Sequence, residues 1–350
     1  MSERIPVGVL GATGMVGQEF VSFLSNHPWF DLTWLGASDR SAGKRYSEAT
    51  SWRLGGVMPA YVRDIVVSEA KPDGGPQLMF SAMDASVATE IERAFAGAGH
   101  AVVSNSRNHR MDEDVPLLVP EVNPEHLQLV PGQQKTRGWT GQIVTNPNCS
   151  TIALVMALAP LKPFGLRRVM VTTMQAISGA GYPGVASMDI NANVIPFISG
   201  EEEKMERETQ KILGAFAGTR IEPLAAKVSA QCNRVPVVDG HMLSVSVELE
   251  KKPTEAEIIG AIRGWRGLPQ QKGLPSAPPC PVIYMDEPDR PQPRRDVERE
   301  NGMAVFVGRL RKCPVLDYKF TALGHNTVRG AAGAAVLNAE LMKSEGWLDR

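Results

Sequence analysis

The chain has 350 residues, of which 43% are hydrophobic and 21% are charged, and its formal net charge is -1. This length predicts two domains or one domain with a large insertion. The near-zero charge gives no electrostatic reason to expect nucleic acid or a membrane surface as a partner, so we expect a small-molecule partner.

The N-terminal sequence, the apolar runs and the spacing of the cysteines indicate where in the cell the protein is expected. The first residues lack a basic region followed by a long apolar run, and the apolar run 152–161 is too short to span a bilayer. Four cysteines lie far apart without a CxxC pair, which predicts neither a disulfide framework nor a metal site: Cys149, Cys232, Cys280 and Cys313. We therefore expect a reduced, cytoplasmic protein.

Short apolar strands alternate with amphipathic helices in the first third of the chain. The expected strands are 6–10, 32–37, 65–68, 78–82 and 101–104, and the expected helices are 16–25 and 86–98. This alternation predicts a parallel sheet with helical crossovers.

The pattern changes after a predicted helix at 151–161. Segments such as 168–176 and 242–250 alternate with period two, which predicts a second domain with an antiparallel sheet covered on one face. The proline-rich stretch 269–293 excludes a central strand or helix and predicts either an ordered arm or a surface loop. The final segment, 326–343, is helical in periodicity and rich in Gly and Ala, so it is expected to pack closely and to return to the first domain.

A glycine-rich motif, GATGMVG at 11–17, follows the first strand and precedes the first helix. Such glycines allow a tight turn and let backbone N–H groups approach a pyrophosphate at the helix N-terminus. The spacing is GxxGxxG instead of the standard GxGxxG, and a glycine-rich turn also has purely structural uses. The flanking strand and helix favour nucleotide binding.

The end of the second strand bears on which dinucleotide is bound. An acid at this point binds a ribose 2′-OH, whereas basic residues accommodate a 2′-phosphate. The chain offers Asp39, but also Arg40, Ser41 and Lys44. This set favours NADP, and Asp39 leaves NAD open.

The sequence TNPNCST, at 145–151, places Cys149 where an extended segment ends and a helix begins. Asn146 precedes a proline and so avoids the helical region, and Ser150 or Thr151 is expected to cap the helix. A helix N-terminus favours the thiolate, which is the nucleophilic form. The alternative is a small buried hydrophobic cysteine.

A thiol mechanism needs a proton-transfer group and a group that holds the substrate. The segment from Cys232 to Met242 supplies Arg234 and His241, joined by an extended run and a Gly turn that can present both to one cleft. A structural, hydrogen-bonded role is the alternative for a single histidine.

Eight motifs occur in an order that resembles the aspartate-semialdehyde dehydrogenases, most closely their archaeal and fungal branch. They are GATGMVG, SNSRNHRM, VPLLVPEVN, TNPNCST, QAISGAG, EEEKM, RVPVVDGH and GHNTVRGAAG. The resemblance extends over residues 8–341. It implies an α/β protein with a Rossmann-like, parallel-sheet NADP domain at 1–148, completed by the C-terminal helix at 326–350. Residues 149–325 would form an α+β catalytic and dimerisation domain with a mainly antiparallel sheet, and the protein would be a homodimer or a dimer of dimers.

The resemblance also implies an activity and a set of site residues. The activity is the reversible, NADP-dependent reductive dephosphorylation of aspartyl β-phosphate to aspartate β-semialdehyde, toward lysine, threonine and methionine. Cys149 would be the nucleophile, His241 the general acid/base and Gln175 the group that orients the reacting atoms. Arg234 would bind the substrate carboxylate and Glu201 its amino group, while Arg110 and Lys204 would bind phosphate, with Asn105 in the same loop. The implied NADP contacts are Gly11, Thr13, Gly14, Met15, Val16, Arg40, Ser41, Ser81, Ser178, Gly179 and Asn326.

Three alternatives remain at this point. Malonyl-CoA reductases are similar to this branch but start from a CoA thioester and need no amino-group site, so Glu201 favours the amino-acid substrate. N-acetyl-glutamyl-phosphate reductases match less well around the cysteine and the histidine. A non-catalytic NADPH-binding regulator would be free to lose the nucleophile, the base or the carboxylate-binding group, and all three are present.

Overall fold

Two six-stranded sheets form the framework of the chain, and the computed structural model describes residues 4–349. The strands are β1 Ile5–Leu10, β2 Phe30–Ala37, β3 Ser68–Glu69, β4 Leu78–Ser81, β5 Ala101–Ser104, β6 Gln142–Thr145, β7 Leu166–Gln175, β8 Ala215–Phe216, β9 Ile221–Glu222, β10 Lys227–Arg234, β11 His241–Leu249, β12 Val282–Met285, β13 Val305–Lys312 and β14 Tyr318–Gly324.

Eleven α-helices within residues 4–349 surround these sheets. They are α1 Met15–Phe23, α2 Tyr46–Ala49, α3 Ala85–Gly97, α4 Val130–Arg137, α5 Cys149–Leu158, α6 Ser187–Ile190, α7 Glu201–Ile212, α8 Glu255–Gly264, α9 Leu268–Lys272, α10 Pro293–Asp296 and α11 Gly333–Ser344. Short 3₁₀ helices occupy Ala60–Val62, Pro124–Leu129, Ala159–Phe164, Ile177–Ala180 and Arg299–Gly302, and a π-helix occupies Val328–Ala332. In the described part of the chain, no helix is long and apolar enough to cross a membrane.

The first sheet has the strand order β3-β2-β1-β4-β5-β6, and every neighbouring pair is parallel. Strands β4, β5 and β6 are buried along their whole length, as parallel strands covered by helices on both faces must be. The predicted Rossmann-like parallel sheet is confirmed. Its carboxyl edge lies beside the glycine-rich turn that follows β1.

The predicted strand at 65–68 forms only in part. Strand β3 pairs with the end of β2, whereas the residues before it bond to the segment 43–47. Tyr46 N donates to Ile65 O at 2.9 Å, and Val67 N donates to Lys44 O at 2.9 Å. Because these backbone groups are already paired locally, they cannot extend the sheet.

The second sheet is mixed, with the order β10-β7-β11-β14-β13-β12. Three of its five neighbouring pairs are antiparallel, and the pairs β7–β10 and β12–β13 are parallel. Buried and less buried residues alternate along β11, as predicted for a sheet with one covered face. Helices α5 and α7 cover the inner face, and Met170 of β7 is 52% exposed on the other.

The C-terminal helix packs on the first sheet. Ala335 and Leu337 of α11 share a buried cluster with Val7 and Leu35. The C-terminal segment therefore packs on the first domain, as predicted. The exact domain limits, 1–148 and 149–325, remain predictions.

The proline-rich stretch is an ordered arm. Its strand β12 pairs with β13 at the edge of the second sheet, and its Ser276 is bonded to the fully buried Glu340 of α11. Ser276 N donates to Glu340 Oε2 at 3.0 Å, and Glu340 Oε1 lies 2.8 Å from His27 Nε2. The arm therefore ties the edge of the second sheet to the first domain.

A buried ion pair anchors the segment before α11. Arg329, in the π-helix, donates to both carboxylate oxygens of Glu121, at 2.8 and 2.6 Å, and both side chains are at most 1% exposed. Taking either partner away leaves the other charge buried without compensation. This pair holds the π-helix against the region between β5 and β6.

We expect Glu121→Gln to lower the free energy of unfolding by about 3–5 kcal/mol, because the Arg329 guanidinium stays buried and unpaired. Replacing both partners, with Glu121→Leu and Arg329→Met, should lower the free energy of unfolding by clearly less. Urea denaturation measures both values. Glu222→Gln is the matched control, since its ion pair with Arg220 is exposed and is expected to contribute less than about 1 kcal/mol. Equal losses for the buried and the exposed substitution would contradict the assignment.

Candidate active site

A cleft of about 1030 Å³ lies between the carboxyl edge of the first sheet and the second domain. Eleven of the residues predicted for the site line it: Thr13, Gly14, Met15, Val16, Asn105, Arg110, Cys149, Gly179, Glu201, Lys204 and Arg234. Residues of both predicted domains therefore line one cleft.

The glycine-rich turn forms one end of the cleft and has the shape needed for a nucleotide phosphate. Gly11 has a φ of +74°, and a Cβ on Gly17 would lie 2.3 Å from Gly11 O. The N-cap of α1 is Gly14, and no side chain among the described residues caps this helix. Its first N–H groups are therefore free to bind an anion at the cleft. These features fit the pyrophosphate of a dinucleotide.

Cys149 is the first residue of α5, and the preceding residue caps the helix. Asn148 Oδ1 accepts hydrogen bonds from Ser150 N at 2.9 Å and from Thr151 N at 3.2 Å. The prediction that Ser150 or Thr151 is the cap was wrong, because the helix begins before both of them. The predicted setting of Cys149 at a helix N-terminus is what the structure has.

Two carboxylates of α7, seven residues apart, hold this cap in place. Glu201 Oε1 accepts from Asn148 Nδ2 at 2.7 Å, and Glu208 Oε2 accepts from Asn148 N at 2.6 Å. Glu201 and Glu208 are 5% and 2% exposed, respectively. Helix α7 thus positions the start of α5 from two sides.

His241 meets the sulfur from the edge of the second sheet. His241 Nε2 lies 3.2 Å from Cys149 Sγ, and His241 Nδ1 accepts from Ala176 N at 3.1 Å. Gln175 ends β7 beside Arg234, which ends the parallel strand β10, and the antiparallel strand β11 begins at His241. The ends of β7 and β10 and the start of β11 therefore lie together, and His241 contacts the sulfur.

Burial dominates the ionisation of the nucleophile. Desolvation raises the pKa of the Cys149 thiol to about 12, and the charge of Glu201 acts in the same direction. Arg110 and Arg234 lower it. The helix N-terminus was expected to favour the thiolate, whereas burial has the largest effect on the pKa of this thiol and acts in the opposite direction.

Three of the cations that line the cleft belong to the predicted set, and each is already oriented by the protein. Arg110 Nη1 donates to Glu208 Oε1 at 3.0 Å, and Lys204 Nζ donates to Glu201 Oε2 at 2.9 Å. Arg234 Nη1 donates to Ala176 O at 2.6 Å and has no carboxylate partner within residues 4–349. Desolvation lowers the pKa of Arg234, whose charge is available for a substrate anion.

The remaining predicted residues lie behind or outside the cleft. Gln175 and His241 lie behind its wall, each 1% exposed. Ser81 is fully buried and its hydroxyl donates to Glu92 Oε1 at 2.6 Å. Asn326 is also buried: its Oδ1 accepts from Gly240 N at 2.8 Å, and its Nδ2 donates to Ser178 Oγ at 2.7 Å.

Arg40 and Ser41 follow β2 in a turn beyond the cleft, and Arg40 is exposed. Gly11 begins the glycine-rich turn and is not among the residues that line the cleft. Of the predicted set, the structure thus brings Cys149, His241 and the three predicted cations together, and it buries Ser81 and Asn326 behind them.

Several site residues were not found from the sequence. Asn148 and Glu208 act through long-range bonds, although Glu208 stands seven residues after Glu201 and therefore on a similar side of α7. Gly330 lies directly behind the nucleophile, since a Cβ there would approach Cys149 Cβ to 2.6 Å. Across the mouth of the cleft, the Arg53 guanidinium lies 4.1 Å from the centroid of the Tyr182 ring.

Comparisons with known proteins identify what this arrangement resembles. Residues 6–130 match the model of the semialdehyde dehydrogenase NAD-binding domain, and residues 158–329 match that of the semialdehyde dehydrogenase dimerisation domain. Aspartate-semialdehyde dehydrogenases from Archaeoglobus fulgidus and Methanothermobacter thermautotrophicus are each 52% identical over 343 residues. The matched segments cover 98% and 97% of this chain and 99% of each relative.

Solved structures of aspartate-semialdehyde dehydrogenases are also similar to this chain. An aspartate-semialdehyde dehydrogenase from Candida albicans, crystallised with NADP, is 45% identical and superposes with a TM-score of 0.91 over 98% of this chain and 99% of its own. Aspartate-semialdehyde dehydrogenase II from Vibrio cholerae, in complex with ASA, is 27% identical with a TM-score of 0.76, covering 98% of this chain and 99% of its own.

We expect Gly179→Ala to lower kcat for NADP-linked turnover by about tenfold to a hundredfold, because the new Cβ would displace the side chains of His241 and Arg234. That Cβ would lie 2.9 Å from His241 Cε1 and 3.0 Å from Arg234 Nη1. Steady-state kinetics, with the melting temperature measured in parallel, checks the effect. Gly260→Ala in α8, where a Cβ meets nothing within 4 Å, is the control and should keep full activity. Unchanged kcat in Gly179→Ala would refute the close approach.

Proposed function

The chain belongs to the aspartate-semialdehyde dehydrogenase family, and from this premise we propose how its residues share the reaction. The activity is the reversible, NADP-dependent conversion of aspartyl β-phosphate to aspartate β-semialdehyde and phosphate. The observation that carries the division of roles is the position of Cys149 Sγ. The sulfur lies at the start of α5, 3.2 Å from His241 Nε2, in a cleft with three oriented cations.

Cys149 is the proposed nucleophile. Its sulfur attacks the acyl carbon of the substrate, which forms a thioester and releases phosphate. Ser150 N and Thr151 N are bonded to Asn148 Oδ1, which leaves the N–H group of Cys149 itself to stabilise the negative charge that develops on the acyl oxygen. His241 contacts the same sulfur, and Gln175 Nε2, fixed by Glu201 Oε1 at 2.9 Å, orients the group beside it.

The cations divide the anionic groups of the substrate between them. Arg234 is proposed to bind the carboxylate, and Arg110 and Lys204 the phosphate, with Asn105 in the same loop. A guanidinium has five N–H donors, so Arg110 keeps donors for phosphate beyond its bonds to Glu208 Oε1 and Asn105 O.

The amino group of the substrate is assigned to Glu201. Both of its oxygens already accept hydrogen bonds, from Asn148, Gln175 and Lys204. The carboxylate stays ionised, because Lys204 is the chief group that offsets the desolvation and lowers the pKa of Glu201. Its negative charge can therefore attract an ammonium group even while its neighbours hold it.

NADPH supplies the hydride that reduces the acyl group. Its pyrophosphate would be held by the N–H groups of the turn from Thr13 to Val16, beside Gly11 and Gly14. Arg40 and Ser41 would hold the 2′-phosphate. Ser178, Gly179 and Asn326 form a bonded group near His241 that would border the nicotinamide, and Ser81 would support the turn after β4 from below.

We also propose that the protein is a homodimer, alone or paired as a dimer of dimers. The second domain matches a dimerisation model, and its sheet leaves one face uncovered, with Met170 half-exposed and Thr172 and Ser244 beside it. A sheet face of this kind is commonly covered by another layer. A reducing, cytoplasmic location is proposed because the mechanism requires a free thiol at Cys149.

The alternatives weighed from the sequence are less well supported. The relatives that match almost the whole chain carry the name aspartate-semialdehyde dehydrogenase, which does not favour a malonyl-CoA reductase. A silent NADPH-binding regulator would not need a histidine in contact with Cys149 behind the wall of a cleft that Cys149 and Arg234 line, as is the case here.

We expect purified protein to reduce NADP with aspartate semialdehyde only when phosphate or arsenate is supplied, because the product of that direction is an acyl phosphate. Absorbance of NADPH measures the rate. Cys149→Ser should abolish turnover, whereas Cys313→Ser, which removes a thiol of the turn after β13, should not. Oxidation of NADPH with malonyl-CoA, and none of the phosphate-dependent activity, would contradict the proposed function.

Arg40→Ala should raise KM for NADP by about tenfold while leaving KM for NAD nearly unchanged, because a charge-assisted contact to the 2′-phosphate is lost. Steady-state kinetics with both cofactors gives the ratio. The control is Arg45→Ala, an exposed arginine paired with Asp64 outside the cleft. A parallel change for both cofactors would place the contact elsewhere.

A further inference from the structure

Helix α7 carries a buried lysine, Lys211, that contacts the loop at 105–115 after β5 and has no role in the proposed reaction. We propose that Lys211 is a positioning residue for phosphate, because it holds the backbone of Arg110 against α7. The proposal rests on the proposed function for the role of Arg110 toward phosphate, while its geometric basis involves no substrate.

The ammonium group of Lys211 is directed at backbone carbonyl groups of this loop. Lys211 Nζ donates to Arg110 O and to Asp112 O, each at 2.8 Å, and to Val115 O at 2.9 Å. An ammonium group has three N–H donors and no acceptor, so every donor is used. The side chain is 6% exposed, and these bonds are therefore largely shielded from water.

The turns within the loop are closed by longer hydrogen bonds. Arg110 N donates to Arg107 O at 3.4 Å, and Val115 N donates to Asp112 O at 3.3 Å. Both distances lie beyond the usual range for a backbone N–H and a carbonyl oxygen, whereas the bonds from Lys211 lie within it. Lys211 therefore holds the path of the loop more firmly than these turns do.

The same helix also holds the side chain of Arg110. Glu208 precedes Lys211 by three residues and so lies on the same side of α7. Glu208 Oε1 accepts from Arg110 Nη1 at 3.0 Å, and Glu208 Oε2 accepts from Asn148 N at 2.6 Å, next to Cys149. Arg110 is thus bound to α7 through its guanidinium and through its backbone, and the same helix is bonded to the start of α5.

Lys211 acts through Arg110 and not on phosphate itself. It is not among the residues that line the cleft, and it borders a separate cavity of about 420 Å³ together with Met111 and Arg207. A phosphate at Lys211 Nζ would also have to displace carbonyl oxygens that already occupy its donors. The effect of Lys211 on phosphate therefore depends on where it keeps Arg110.

Lys211 carries its full set of donors at neutral pH. Burial lowers the pKa of Lys211 to about 8, and the carboxylates of Asp112, Asp114, Glu208 and Glu113 act in the opposite direction. Below this pKa the group is an ammonium ion with three N–H donors, whereas a neutral amine has two. Measurements at neutral pH therefore compare the fully bonded lysine with its variants.

Steady-state kinetics with aspartate semialdehyde, NADP and varied phosphate, at neutral pH, tests the proposal. We expect Lys211→Met to raise KM for phosphate by about tenfold and to change KM for NADP by less than about twofold, because the shift affects the phosphate-binding cation. Lys211→Gln, which retains an amide donor, replaces this variant if it does not fold, with the same expected direction. A purely structural role would lower the melting temperature and leave both KM values unchanged, and that result would overturn the proposal.

Arg207→Met is the matched control for this measurement. Arg207 is an exposed cation of the same helix and borders the same cavity as Lys211. Its replacement removes one positive charge from α7 without removing a bond to the loop, so KM for phosphate should stay at the wild-type value. An equal rise in Arg207→Met and Lys211→Met would show an effect of charge alone and would refute the positioning role.

Amide hydrogen exchange of the ligand-free protein gives a second measurement. In Lys211→Met, the amides of residues 107–115 should exchange about tenfold faster than in the wild type, because the loop opens more often, while those of α11 keep their rate. Unchanged exchange in the loop, or a uniform acceleration along the chain, would count against the proposal. Since no substrate is used, a wild-type protein without phosphate-dependent turnover would count against the proposed function alone.

Discussion

The start of α5 is the constraint on which the site depends. Asn148 uses its side-chain oxygen to cap the helix, its side-chain nitrogen to bond Glu201 and its backbone nitrogen to bond Glu208. One residue thereby connects the end of the first sheet, the nucleophile and α7. Because these bonds are buried, the loss of any one leaves a polar group unpaired beside Cys149.

Helix α7 also orients the charged side chains of the cleft. Glu208 and Glu201 of α7 partner Arg110 and Lys204, which lowers the cost of keeping these cations in a half-buried site. Arg234 bonds only to a carbonyl oxygen among its described partners and retains its full charge for an anion. The cleft therefore holds its cations in place before any anion binds, which reduces the reorganisation that the proposed reaction needs.

Local sequence patterns predicted the fold, but they predicted the site only in part. Buried apolar strands and the glycine-rich turn indicated the parallel sheet, and TNPNCS located the nucleophile at a helix start. Asn148 was missed as the cap because Ser150 and Thr151 are equally good capping residues by type. Pairing of His241 with Cys149 joins residues 92 apart and came from a family resemblance, because no spacing rule specifies such a contact. The raised pKa of Cys149 depends on burial, which only the packed structure reveals.

The position of Gly330 determines when, during synthesis, the site can be completed. This residue lies against Cys149 and belongs to the π-helix that Arg329 fastens to Glu121, so the back wall of the nucleophile is made late in the chain. During synthesis, residues 1–148 leave the ribosome long before this wall exists. A nascent chain therefore carries a cysteine without its finished surroundings, and catalytic competence arrives only when the last tenth of the polypeptide has emerged and docked.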